Sequence, residues 1–166
     1  MTTETQLLNY LIERSDYQRY LEIGCTNNDN FDQILCPHKV KVDPENDDFA
    51  SNIDTFELVF IDEVCECEQV HRDLTNALRF VKPGGAIVVH EGSWNQDFLK
   101  ALASWRNYYI VDTCVGHVDW GCCVILPRPN TLALPSSYLE MSLEDLETHR
   151  DEILRLKPLA ELKEWI

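Results

Sequence analysis

The chain has 166 residues, enough for one domain with a sizeable core, and its 45% hydrophobic content is that of an ordinary globular protein. A formal charge of −15 excludes a basic nucleic-acid surface and opposes docking on an anionic membrane. No apolar run is long enough to span a bilayer, and Met1-Thr2-Thr3-Glu4 lacks the charged-then-apolar pattern of a leader, so a cytoplasmic location is expected. Seven cysteines, an odd count without a leader, read as reduced thiols. Cys65-Glu66-Cys67 and Cys122-Cys123, with His71 or His90, lack the Cys-x-x-Cys spacing of structural zinc sites, so no metal site is expected from them.

Leu7, Leu8, Leu11 and Ile12 recur at helical spacing and predict an amphipathic helix over residues 6–14. Tyr20-Leu21-Glu22-Ile23 reads as a strand that breaks at Gly24 and passes through a polar turn into a short helix over 29–35. Residues 39–42 form a second strand ending at Asp43, and 57–61 a buried strand ending at Asp62. Val70, Leu74, Ala77, Leu78 and Val81 mark a helix, which Lys82-Pro83-Gly84-Gly85 ends before a strand over 86–89 that delivers His90-Glu91. Trp94, Phe98, Leu99, Leu102 and Trp105 suggest another helix. Residues 108–112 and 121–126 read as an antiparallel strand pair. Beyond Pro127 the composition loosens. Ser142 with Asp145 resembles a capping arrangement for a helix carrying Leu143, Leu146, Ile153 and Leu154. Pro158 interrupts that helix, and Leu159, Leu162, Trp165 and Ile166 form a second apolar face. Both faces require burial, either on the sheet or against another subunit, which leaves a homo-oligomer open. The expected division is an α/β domain over 1–130 and a helical extension over 131–166.

Alternating strands and helices imply a doubly wound, mostly parallel α/β sheet. In such a sheet Gly24, Asp43, Asp62 and His90-Glu91 share one edge, where ligands bind. A single strand-end carboxylate is commonly a helix cap or solvated; four such endings together favour a nucleoside site. A carboxylate 19 residues after Gly24, at Asp43, can accept both ribose hydroxyls. The turn after Gly24 lacks the further glycines that wrap a pyrophosphate, and Asp29 would repel one. S-adenosylmethionine, with an ammonium, a sulfonium and no phosphate, suits Glu22, Asp29 and Asp62 better.

Residues 20–24 (Tyr20-Leu21-Glu22-Ile23-Gly24), 39–44, 58–62, 68–74 and 82–91 occur in the order found in class I S-adenosylmethionine-dependent methyltransferases, which the chain resembles. Residues 94–98, 111–113, 119–121 and 142–166 resemble the small family 24-like branch in particular. The resemblance implies the Rossmann-like class I fold with sheet order 2-1-4-5-7-6 and a last strand antiparallel to the rest. The stretch 44–56 is too short for strand 3, which is expected to be missing. It also implies methyl transfer from S-adenosylmethionine to an oxygen of a small molecule or sugar. Glu22, Gly24, Thr26 and Asn28 would meet the methionine part of the cofactor, Asp43 the ribose, and Asp62 the sulfonium and substrate. Asp62, His90 and Glu91 would be the catalytic residues. Some members hold a magnesium ion through acids at the ends of these last two strands. Here Glu63 and Cys65 replace the family's glycine and histidine, which argues against that metal. The rival reading is a methyltransferase-like binding or assembly module without catalysis.

Overall fold

The computed structural model describes residues 3–24, 29–42, 54–62, 67–90, 96–108, 110–118 and 121–166. The first helix, α1 (Glu4–Ser15), is capped by Thr3, whose hydroxyl accepts the Gln6 N–H at 3.3 Å, and ends where Asp16 turns left-handed. Its buried residues are Leu7, Leu8, Leu11 and Ile12, the stripe that spacing predicts. Then follow β1 (Arg19–Ile23), the short helix α2 (Asp29–Gln33), β2 (His38–Val42) and β3 (Phe56–Ile61). Next come α3 (Cys67–Phe80), β4 (Val81–His90), α4 (Gln96–Trp105), β5 (Asp112–Gly116) and β6 (Cys122–Leu126).

The sheet order is β2-β1-β3-β4-β6-β5, with β6 antiparallel to both neighbours and the other pairs parallel. With β3 to β6 taken as the fourth to seventh strands of the class I fold, this is the expected order 2-1-4-5-7-6. Six strands are present among the described residues. The segment 43–53, to which the missing strand 3 refers, lies outside them.

Strand residues alternate between two apolar layers, as a pleated sheet covered on both faces requires. Leu21, Ile23, Val59, Ile61, Ile87, Val89, Cys123 and Ile125 pack against α3 and α4. Tyr20, Leu58, Phe60, Val88, Cys122 and Val124 face α1 on the other side. Cys36, Cys114, Cys122 and Cys123 are buried reduced thiols. Burial pushes the Cys114 thiol up to about 11 and raises that of Cys123 as well, so both stay protonated and unreactive.

Three stretches depart most from the sequence reading. Val81 leaves the helix to open β4 opposite Phe56, and the register shifts before Leu58 meets Ala86, so residues 82–85 form an irregularity within β4. Strand β5 begins at Asp112, where the expected strand 108–112 ends. The α4 exit continues by turns, with Tyr108 N–H donating to the Trp105 carbonyl at 3.0 Å, and Tyr108 and Ile110 are exposed. The third difference is in the tail. The expected helix after Ser142 is two, α5 (Leu143–Thr148) and α6 (Arg150–Leu154), broken where His149 leaves helical geometry.

A 3-10 turn (Ser136–Glu140) precedes α5, and α7 (Leu159–Trp165) closes the chain. Ser142 caps α5 as expected, its hydroxyl accepting the Asp145 N–H at 3.1 Å. Leu146, Ile153 and Leu154 join the α3/α4 layer, whereas Leu162 of α7 joins the α1 layer, so the centres of both apolar faces are buried within this chain. Lys157 bridges Gly116 and covers the outer edge of β5. At Gly116 a Cβ would lie 2.5 Å from Leu162 Cδ2, so the missing side chain lets α7 seat against the strand. Arg106, almost wholly buried, donates to the Glu152 and Ile153 carbonyls at the end of α6 and to the Leu132 carbonyl. One guanidinium thus ties the tail to the α4 exit.

Candidate active site

The parallel strands β1, β3 and β4 end at one edge, and backbone bonds lock those ends together. Gly24 N–H donates to the Val42 carbonyl at 3.1 Å, and Asp62 N–H to the Ile23 carbonyl at 3.0 Å. Gly24 has φ +80°, a left-handed conformation that disfavours any side chain. The strand ends at the glycine, beside the end of β2.

Glu22 lies two residues before that glycine, on the same face of β1 as Tyr20. It is fully buried, and the Tyr20 hydroxyl donates to its Oε2 at 2.5 Å. The sheet register pairs Glu22 with Phe60, and Phe60 with Val88. Two residues further along the same face, Asp62 meets His90, with Oδ1 3.4 Å from Nδ1 and side chains 21% and 16% exposed. The His90 ring also lies against Phe60 at 6.5 Å. A proton on Nδ1, directed at Asp62, places the basic lone pair of a neutral imidazole on Nε2. Glu22, Gly24, Asp62 and His90 are thus gathered at one edge, three of them by strand register. Thr26, Asn28, Asp43 and Glu91 lie outside the described residues, as do Glu63 and Cys65. Among the described residues no group of three or more His, Cys, Asp or Glu is placed to hold a metal ion.

Two polar features were not anticipated from sequence. The Tyr20–Glu22 bond is one; the two-residue strand period was its signal. The other is His71 on α3, whose Nδ1 accepts the Trp105 Nε1–H at 2.9 Å in a small cleft of about 200 Å³ that Thr75, Tyr108 and Ile110 also line. Burial, with the Lys100 ammonium adding to it, lowers the His71 pKa below its ordinary 6.5. The unfolded chain then takes up this proton at higher pH than the folded one, so the stability from neutral His71 is complete above pH 6.5 and lost as pH falls through the folded value. The melting temperature is accordingly expected to drop below pH 6.5, and less steeply in His71→Gln; equal slopes in both proteins would contradict this assignment.

No family model and no curated protein matches the chain. Solved structures do. The SAH-bound methyltransferase PaMTH1 of Podospora anserina superposes with a TM-score of 0.57 at 13% identity, over 77% of this chain and 80% of that one. The O-methyltransferase TomG of Streptomyces achromogenes, involved in tomaymycin synthesis and in complex with SAM, gives 0.54 at 14% identity over 75% and 79%. An O-methyltransferase from Bacillus cereus in complex with SAH gives 0.53 at 14% over 75% and 80%. The chain has the Rossmann-like fold of the class I methyltransferases.

Proposed function

We propose that the protein transfers a methyl group from S-adenosylmethionine to an oxygen of a small molecule or sugar. The observation that carries this reading is the meeting of Glu22, Gly24, Asp62 and His90 at one edge of a sheet whose solved likenesses include O-methyltransferases in complex with SAM or SAH. The residues present fit the cofactor. A fully buried carboxylate at Glu22 and a second at Asp62 suit a ligand bearing an ammonium and a sulfonium. The left-handed Gly24 lets a ligand approach the backbone closely.

When bound, the cofactor supplies an electrophilic methyl group. The protein's part is mainly orientation, which can lower a bimolecular barrier by several kcal/mol, about 7–11 at best. Glu22 and the turn after Gly24 would hold the methionine part, and Asp43 the ribose. His90 would take the acceptor's hydroxyl proton on Nε2 while Asp62 accepts from Nδ1 and steadies the imidazolium. Thr26, Asn28 and Glu91 complete the proposed contacts on sequence grounds.

The test is formation of S-adenosylhomocysteine from S-adenosylmethionine across a panel of phenols, alcohols and sugars. Turnover is expected with at least one acceptor, and His90→Gln should reduce it by roughly 10²–10⁴-fold while leaving affinity for S-adenosylhomocysteine nearly unchanged. Tight binding of S-adenosylhomocysteine with no turnover on any acceptor would favour a non-catalytic binding module, as Glu63 and Cys65 would then suggest.

A further inference from the structure

We propose that Tyr20 is a positioning residue for the cofactor, acting through Glu22. This rests on the reading above, in which Glu22 receives the methionine part of the ligand.

Tyr20 and Glu22 are both fully buried and occupy the same face of β1. A buried carboxylate is costly unless donors reach it. The Tyr20 hydroxyl is such a donor, and it reaches Oε2 at 2.5 Å. The phenol does two things at once. It stabilises the charged form of Glu22, and it restricts the carboxylate to one rotamer.

Tyr20 is itself packed against α2. Its ring meets Phe31 of the segment that follows Gly24, with centroids 6.2 Å apart. The Lys39 ammonium stands 4.8 Å over the Phe31 ring and donates to the Phe31 carbonyl at 2.7 Å. One residue earlier, Asn30 Oδ1 accepts the Thr5 hydroxyl at 2.5 Å, which ties α2 to α1. A set of contacts thus runs from α1 through α2 to Tyr20 and on to Glu22. A bound ligand that engages Glu22 would meet a carboxylate already aimed.

Tyr20→Phe keeps the ring and its packing and removes only the donor. Calorimetric titration of the wild type and Tyr20→Phe with S-adenosylhomocysteine and with adenosine, which lacks the methionine part, tests the proposal. The expected result is about tenfold weaker binding of S-adenosylhomocysteine with adenosine unaffected. In a Glu22→Gln background, Tyr20→Phe should cause no further loss, because its effect passes through the carboxylate. Equal losses for both ligands, or losses that add in the double variant, would make Tyr20 a merely structural residue and overturn the proposal. Full affinity in Tyr20→Phe would overturn it while leaving the cofactor reading intact. A wild type that binds neither ligand would overturn both.

Discussion

Asp112→Asn is expected to lower the melting temperature by about 6–12 °C. Asp112 is fully buried at the start of β5, where a lone carboxylate would be prohibitive. Arg155 Nη1 reaches Oδ1 at 2.9 Å, Arg128 Nε reaches Oδ2 at 3.2 Å, and the Thr131 hydroxyl lies 3.1 Å from both oxygens. Both guanidinium groups also stand over the Trp165 ring, Arg128 at 4.8 Å and Arg155 at 5.5 Å. The carboxylate thus joins β5, the exit of β6, the end of α6 and the last helix, α7. Removing one partner of a buried pair costs about 3–5 kcal/mol. In a chain of this length each kcal/mol moves the midpoint by roughly 2–4 °C. The Arg128 side chain is 37% exposed, so water recovers part of the loss and the lower half of the resulting range is expected. Asparagine keeps the shape and an acceptor for Thr131 but loses the charge. A midpoint within about 2 °C of wild type would show that the two arginines, not the carboxylate, organise this corner.

That corner also shows where the sequence stops being informative. Continuous apolar runs, as in Leu58-Val59-Phe60-Ile61 and Ala86-Ile87-Val88-Val89, declare strands buried on both faces, and β3 and β4 contain them. For β5, local propensity points to the aromatic stretch just before it, because Tyr108 and Ile110 favour strands more than Asp112 and Gly116 do. The strand forms later in the chain, where partners 16, 19 and 43 residues away satisfy the buried Asp112 carboxylate, and no local pattern records them. The tail is similar. Its apolar spacing is legible, but the break at His149 is not, and Arg106 holds the end of α6 through carbonyls 46 and 47 residues distant.

The site divides along the same line. Glu22, Gly24, Asp62 and His90 stand at strand ends, and once the strand order is known their common edge follows. The Asp62–His90 approach needs the register as well, since it arises from Phe60 standing opposite Val88. Sequence places both residues at the site, but their contact is visible only in the register.

We propose that this edge holds S-adenosylmethionine, with Asp43 on its ribose. Asp43 directly follows Val42, whose carbonyl accepts the Gly24 N–H, and it comes 19 residues after the turn glycine. A carboxylate that accepts both ribose hydroxyls makes two charge-assisted bonds. Each is worth about 1.5–3 kcal/mol, and about 1.4 kcal/mol is a factor of ten in affinity. The most direct measurement is calorimetric titration of S-adenosylhomocysteine into the wild type and Asp43→Ala. Wild-type binding that weakens at least about tenfold in Asp43→Ala, with the melting temperature nearly unchanged, is the result predicted here. No wild-type binding at millimolar ligand would contradict the cofactor assignment, and equal binding by both proteins would place the ribose elsewhere.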